Sequence, residues 1–113
     1  MITLSVSKSK LLADKRKFLE VRSRLFMAVR TFFHDRGFVE VDTPVRIKYP
    51  ALEDYIDAEA AGNAWLRTSP ELHMKRLLTA GYEKIFQIGP CFRQGEFGQR
   101  HRPEFTMLEW YES

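Results

Sequence analysis

Two apolar stretches separated by a polar, glycine-containing loop constrain the fold of this chain more than any other feature. Residues 84–92 and 104–112 are rich in aromatic and aliphatic side chains, and Gly95 and Gly98 lie between them. This pattern is typical of an antiparallel hairpin with a long loop. The alternation of a strand places four side chains of its second strand on one face: Phe105, Met107, Glu109 and Tyr111.

The hairpin has the residue types that a phosphate site needs. Arg93 follows the first strand, and arginine offers a planar, permanently charged fork that matches phosphate oxygens. Gly95 and Gly98 allow the loop to bend and its backbone to approach a ligand closely. The sequence therefore predicts a nucleotide site with one face of the second strand as its floor.

A long amphipathic helix is predicted before the hairpin, over residues 14–36. Asp14 is the predicted cap, and Gly37 supplies the stop. A short strand over 38–41 then ends at Pro44, which cannot donate to a further ladder. Residues 1–12 show no clear period and are predicted to be a loose arm. The apolar residues at helical spacing are Phe18, Val21, Leu25, Ala28, Val29, Phe32 and Phe33.

Between this strand and the hairpin, the sequence predicts strand pieces, a turn and a second helix. Strand pieces and loop are expected over 46–63, with a turn at Gly62-Asn63, followed by a strand over 64–68. Ser69 and Pro70 open a helix as a hydroxyl cap and a proline at the first helical position, and Gly81 ends it. The element order predicts an α+β fold.

Composition sets limits on function. The chain has 113 residues, of which 44% are hydrophobic and 29% charged, which predicts one globular unit. A net charge of +3 is common for a solvated surface and gives little support to nucleic-acid binding. Cys91 is the sole cysteine, which excludes an internal disulfide and fits a reducing cytoplasm, and its position predicts a buried strand end. The absence of a long apolar stretch disfavours secretion and membrane spanning.

The run Arg-His-Arg-Pro-Glu-Phe-Thr-Met-Leu-Glu-Trp-Tyr over 100–111 resembles motif 2 of class II aminoacyl-tRNA synthetases, in the version of the lysyl enzymes. The helix, Gly37, strand and Pro44 resemble motif 1, the dimerisation element. Residues 68–78 resemble the segment that starts a helix beside the amino-acid pocket. The resemblance implies the first half of a class II catalytic domain, an antiparallel sheet flanked by helices, with residues 1–14 as a leader and 15–113 carrying motifs 1 and 2.

The resemblance also implies roles for individual residues. Arg93 matches the arginine that binds the α-phosphate and stabilises charge as the substrate carboxylate attacks, so it is the expected catalytic residue. Phe105 matches the aromatic that stacks on adenine, although packing in the sheet core is the ordinary role of an aromatic on a strand. The implied ATP-binding residues are Arg93, Gly95, Glu96, His101, Arg102 and Phe105. The implied substrate-binding residues are Ser69, Glu71, Glu109 and Tyr111, with Glu71 also suited to the positive end of a helix.

The chain departs from the family pattern at two motif 2 positions. The family has glutamate two residues after the arginine, where this chain has Gly95 and places its acid at Glu96. Either Glu96 substitutes through a shifted loop, or adenine recognition is altered. Close relatives usually carry asparagine where this chain has Arg102. Motif 3 and the acidic strand that holds magnesium are absent from residues 1–113, so ATP and magnesium are the implied cofactors, with the metal ligands outside this segment.

The short leader favours one branch of the family. Bacterial lysyl-tRNA synthetases carry an anticodon-binding domain before motif 1, so the chain is more similar to the short paralogues called elongation factor P lysine ligases. These activate lysine or β-lysine with ATP and attach it to a lysine of elongation factor P. The alternatives are a catalytic fragment of lysyl-tRNA synthetase, with tRNA as the acceptor, and a noncatalytic synthetase-like domain for dimerisation or binding. The resemblance implies a cytoplasmic homodimer without a membrane partner, inactive as an isolated segment.

Overall fold

A computed structural model describes residues 6–50, 57–95 and 102–113 of the chain. The chain divides into two compact units, residues 1–36 and residues 37–113, where its composition predicted one globular unit. The first unit is helical, and the second contains two sheets and a helix. The division follows from the secondary structure, because each unit forms its backbone hydrogen bonds largely within its own elements.

The first unit contains helices α1, Val6–Asp14, and α2, Arg16–Asp35. The prediction of a loose arm was therefore wrong for residues 6–12. Asp14 was also wrong as a cap, because it ends α1, and Lys15 precedes α2 without a side-chain cap bond. Lys15 joins the two helices through its backbone: its N–H donates to the Leu12 carbonyl at 3.2 Å, and its carbonyl accepts from the Leu19 N–H at 3.1 Å.

Helix α2 lies within the predicted range of residues 14–36 but is shorter, and it leaves much of its apolar stripe in contact with solvent. Phe18 is 77% exposed and Leu25 is 57% exposed, and Val21 and Phe32 are exposed as well. Phe33 is the one residue of α2 that is buried among the described residues. The amphipathic pattern therefore predicted the helix correctly, and most of the residues of its apolar stripe are exposed.

Among the residues of the second unit that the structure describes, there are six strands and helix α3. The strands are β1 Val39–Glu40, β2 Arg46–Ile47, β3 Glu59–Ala61, β4 Ala64–Leu66, β5 Lys84–Phe92 and β6 Glu104–Glu112. They form one sheet in the order β1-β5-β6 and another in the order β2-β4-β3. The bounds of β5 and β6 and their antiparallel pairing, from Lys84 opposite Glu112 to Phe92 opposite Glu104, confirm the predicted hairpin.

The predicted antiparallel arrangement holds for β5 and β6 but not for β1. Val39 pairs with Ile85 in a parallel register, so the sheet β1-β5-β6 is mixed. The reason lies in the connection, because a long crossover lets the chain return in the same direction, whereas a hairpin reverses it. The residues between β1 and β5 include the second sheet and α3.

The local signals around α3 were mostly confirmed. Helix α3 spans Glu71–Thr79, and Gly81 follows it with a φ of 102°, the left-handed conformation that favours glycine. Pro70 lies at the cap position rather than at the first helical position, which corrects the prediction by one residue. The Ser69 Oγ accepts a 3.4 Å hydrogen bond from the Glu71 N–H, so the hydroxyl still serves the helix start.

The core of the second unit lies around β5, the middle strand of the β1-β5-β6 sheet. Ile85, Phe86 and Cys91 on β5 and Met74 on α3 are fully buried. The burial of Cys91 confirms its predicted role as a packing residue at a strand end. Two polar residues are buried almost as deeply as these apolar ones, namely Arg67 and Gln87, each at 1% exposure.

Candidate active site

Strand β6 provides the floor of the candidate site. Burial alternates along it, with Phe105, Met107, Glu109 and Tyr111 half-buried and the residues between them exposed. This alternation confirms that the four side chains share one face. At about 3.4 Å per residue, the face extends roughly 20 Å from Phe105 to Tyr111. Two groups of polar side chains lie along it, one toward each end.

The first group lies where the hairpin opens. Arg93 follows β5 directly, and its N–H donates to the Pro103 carbonyl at 2.9 Å, which closes the base of the loop. The Arg93 guanidinium carbon lies 5.2 Å from the centre of the Phe105 ring. This distance is within the range of a cation–π contact. A charged fork and an aromatic ring therefore lie side by side, as a phosphate and a planar base require.

A second backbone hydrogen bond holds the described part of the loop. The Gln94 N–H donates to the Asp57 carbonyl at 2.7 Å. Gly95 follows with a φ of 79°, and a Cβ built there would meet nothing within 4 Å. The constraint at this position is therefore conformational, because a glutamate at Gly95 would adopt a strained left-handed backbone. Arg102 is exposed, whereas Glu96 and His101 lie outside the described residues.

The second group lies toward the end of β6. The Tyr111 hydroxyl donates to Glu109 Oε2 at 3.1 Å. Burial raises the pKa of Glu109, and the hydrogen bond from Tyr111 opposes that rise. Burial also raises the pKa of the Tyr111 phenol, and the neighbouring Glu109 carboxylate adds to the effect. The phenol therefore keeps its proton and can orient the carboxylate toward a ligand.

Glu71 brings a second carboxylate to this end. It lies in the first turn of α3, where its Oε1 accepts from Lys75 Nζ at 2.7 Å. Its charge is also among the causes that raise the pKa of Glu109, after burial. The structure thus brings Glu71, Glu109 and Tyr111 into one electrostatic neighbourhood, with Ser69 at the helix start. Two acids that disfavour each other's charge favour a cationic ligand between them.

Sequence reasoning missed Arg67, which lies at the end of the predicted strand 64–68. Its Nε donates to the Pro90 carbonyl at 2.9 Å and its Nη1 to the Thr43 carbonyl at 3.0 Å. The signal that could have revealed it is an arginine that directly follows the apolar strand residues Ala64, Trp65 and Leu66. Buried arginines are rare and are fully hydrogen-bonded where they occur.

The described ranges, residues 6–50, 57–95 and 102–113, contain neither a candidate metal site nor a helix that could span a membrane. Within these ranges, the structure places no group of three or more His, Cys, Asp or Glu side chains where they could share a metal ion. The helices in the same ranges also lack the length and apolar character that crossing a membrane requires.

Comparison with known proteins relates the chain to one family. The family of class II tRNA synthetases for D, K and N matches residues 9–113. Elongation factor P–(R)-beta-lysine ligase of Pasteurella multocida strain Pm70 is 47% identical, over 82% of this chain and 32% of that protein. The ligases of the same name from Haemophilus influenzae strain PittGG and Haemophilus ducreyi are 44% and 46% identical, over 88% and 80% of this chain. The chain spans about a third of the length of these relatives.

Proposed function

The chain belongs to the family of class II tRNA synthetases for D, K and N, and on that premise we propose that it is the N-terminal part of an ATP-dependent ligase. The ligase activates lysine or β-lysine as an adenylate and transfers it to a lysine of elongation factor P. The observation that carries this proposal is the arrangement along β6. Arg93 lies beside Phe105 at one end, and two acids lie with Tyr111 at the other.

Adenylate formation uses the Arg93 end of the face. The carboxylate of the amino acid attacks the α-phosphorus of ATP, the bond to pyrophosphate breaks, and pyrophosphate leaves with the electron pair. Arg93 binds the α-phosphate and stabilises the charge that develops there. Phe105 stacks on adenine. Gly95, Glu96, His101 and Arg102 line the nucleotide in this proposal, and the magnesium ligands come from outside residues 1–113.

Substrate recognition uses the acidic end. Glu71 faces the ammonium group of the amino acid, Glu109 and Tyr111 extend the pocket, and Ser69 supports the helix start. The ion pair between Lys75 and Glu71 supports this role, because it shows that the carboxylate accepts an ammonium group at 2.7 Å. A lysine ligand competes with Lys75 for the same oxygen. In the second step, the amine of the acceptor lysine attacks the carbonyl carbon of the adenylate and AMP leaves.

We also propose that the protein forms a homodimer and is located in the cytoplasm. The exposed apolar stripe of α2, with Phe18 77% and Leu25 57% exposed, supports a homodimer formed through the motif 1 region. A symmetric dimer would bury the same stripe of both copies. The sole cysteine, Cys91, is a free thiol. A chain without disulfides supports a cytoplasmic location.

Pyrophosphate exchange on the full-length protein tests the function. ATP-dependent exchange is expected with lysine or β-lysine, and the preferred substrate is the one with the higher kcat/KM. Incubation of the adenylate with elongation factor P or with lysine tRNA then separates the two acceptors, and labelled elongation factor P is the expected product. Charging of tRNA alone would instead support a lysyl-tRNA synthetase. Absence of exchange with both amino acids would support a noncatalytic domain.

A further inference from the structure

The burial of Arg67 requires an explanation beyond stability. Its guanidinium is permanently charged, and Arg67 is 1% exposed. Within the described residues it forms no ion pair with a carboxylate, and its contacts are hydrogen bonds to neutral groups. Burial of an unpaired charge is costly, and an apolar side chain of similar volume often gives equal or greater stability. A geometric role accounts better for an arginine here.

The hydrogen bonds of Arg67 connect segments that are distant in sequence. Nε donates to the Pro90 carbonyl on β5 at 2.9 Å, and Nη1 donates to the carbonyl and Oγ1 of Thr43 at 3.0 and 3.2 Å. Gln87 also contacts the guanidinium, with its amide oxygen 2.8 Å from Nη1 and 3.2 Å from Nη2. In this orientation its amide nitrogen donates to Thr43 Oγ1 at 2.8 Å.

The backbone of Arg67 adds two further bonds to the same connection. The Arg67 N–H donates to the Val45 carbonyl at 2.8 Å, and the Arg67 carbonyl accepts from the Phe92 N–H at 2.9 Å. Side chain and main chain therefore hold the end of β5 at Pro90 and at Phe92. Arg93 is the next residue after Phe92, and Glu71 is four residues after Arg67. A single residue thus joins the segments that carry both ends of the candidate site.

The guanidinium of Arg67 packs closely against the backbone of Gly89. A Cβ built on Gly89 would lie 2.6 Å from Arg67 Nη2, a separation that real Cβ atoms essentially never show. Because the guanidinium is buried and held by Thr43, Gln87 and Pro90, it cannot swing aside as an exposed arginine would. The guanidinium can therefore occupy this position only because residue 89 has no side chain.

We propose that Arg67 is a positioning residue for adenylate formation: it fixes the start of α3, which carries Glu71, relative to the end of β5, which carries Arg93. The inference rests on the proposed function. The ammonium group of the amino acid is held at one end, and its carboxylate attacks a phosphate held at the other. The distance between the two ends therefore decides whether the reacting atoms meet in line.

The positive charge of Arg67 also affects the protonation of two residues near the amino-acid end of the site, Glu109 and His73. Burial raises the pKa of Glu109, and the charges of Lys75 and Arg67 oppose that rise. Burial lowers the pKa of His73, and the charges of Arg76 and Arg67 lower it further. The guanidinium thereby favours an ionised carboxylate and a neutral imidazole beside the amino-acid end.

The test is Arg67→Lys in the full-length protein, which retains the charge but replaces the rigid fork by a point charge. We expect kcat of lysine-dependent pyrophosphate exchange to fall about 100-fold, whereas the KM values for lysine and ATP change less than about threefold. The matched control is Arg46→Lys. The exposed Arg46 also donates to a backbone carbonyl and an amide, those of Ala61 and Asn63, at 3.1 and 2.8 Å, and its substitution should leave kcat unchanged.

A second variant and a count of active sites separate positioning from stability. Gly89→Ala retains Arg67 but displaces its guanidinium, so it should produce a smaller loss of kcat with the same unchanged KM values. Adenylate formed per chain in a single turnover gives the active fraction. If Arg67→Lys has the wild-type kcat per active site, the positioning role of Arg67 is wrong, whatever the melting temperature of the variant. The proposed function would stand in that case. A wild-type protein without exchange would remove the proposed function and the inference together.

Discussion

Helix α2 exposes Phe18 and Leu25 to solvent, whereas the unit of residues 37–113 buries a charged arginine, Arg67. The first unit thus has exposed apolar side chains, and the second unit has a buried charged side chain that is held by hydrogen bonds. Both arrangements are unfavourable for an isolated chain. Each is understandable if it serves a function, association in the helical unit and alignment of a site in the other unit.

This comparison separates the expected effects of substitutions. Changes at the candidate site should alter adenylate formation without altering association, and changes on the exposed stripe of α2 should do the reverse. A substitution that alters both properties would break the separation.

Arg93→Ala should have the largest effect. Loss of a group that stabilises the transition state costs about 3 kcal/mol, which is a loss of at least about 100-fold in kcat of pyrophosphate exchange. The fold should remain, because the Arg93 N–H still donates to the Pro103 carbonyl at 2.9 Å. Exchange kinetics and the melting temperature of the full-length variant are the measurements. Arg46→Ala is the control, and an exchange rate equal to the wild type in Arg93→Ala would exclude Arg93 as the catalytic arginine.

Glu71→Gln should raise the KM for lysine by about 10- to 100-fold and leave the KM for ATP unchanged. A hydrogen bond to a charged group contributes about 1.5–3 kcal/mol, and the amide retains the shape but loses the charge. Lys75→Met is the matched control, because Lys75 forms the 2.7 Å ion pair with Glu71. If Glu71 binds the substrate, Lys75→Met removes a competing cation and should lower the KM for lysine. An equal rise of this KM in both variants would indicate that the ion pair only supports α3.

Leu25→Ser should weaken the homodimer about 30-fold without changing the site. Leu25 is 57% exposed in the chain, and burial of that surface contributes about 1 kcal/mol for each copy in a symmetric dimer. Met27→Ser is the control, because Met27 is 67% exposed but lies on the opposite side of α2. Sedimentation equilibrium gives both dissociation constants. Equal weakening by the two variants would place the interface elsewhere on the helix.

Much of the fold was predictable because its signals are local. The alternation of β6, the turn at Gly62 and the end of α3 at Gly81 all follow from neighbouring residues. The parallel pairing of β1 with β5 was not predictable, because it depends on how a long connection returns the chain. Arg67 was missed for a related reason. Its partners Thr43 and Pro90 are 24 and 23 residues away in sequence.

The pairing of Tyr111 with Glu109 leads to the smallest predicted effect, a change in pH dependence. Burial raises the pKa of Glu109, and the hydrogen bond from Tyr111 at 3.1 Å lowers it. Tyr111→Phe removes the opposing bond, so the pKa of Glu109 should rise further. If ionised Glu109 binds the substrate ammonium, activity falls as Glu109 takes up a proton, and this loss should begin at a higher pH in the variant.

The expected change in kcat/KM corresponds to the loss of one hydrogen bond, the one from Tyr111 to Glu109. At a pH on the acid limb, kcat/KM for lysine should be about fivefold lower in Tyr111→Phe, which corresponds to about 1 kcal/mol. At a pH above the limb the difference should shrink, because Glu109 is ionised in both proteins. Tyr82→Phe is the control, since Tyr82 is 48% exposed and lies in the connection between α3 and β5. A fivefold loss that is independent of pH would mean that the phenol contacts the substrate directly. An acid limb displaced to lower pH would contradict the bond between Tyr111 and Glu109 as the means by which the carboxylate stays ionised.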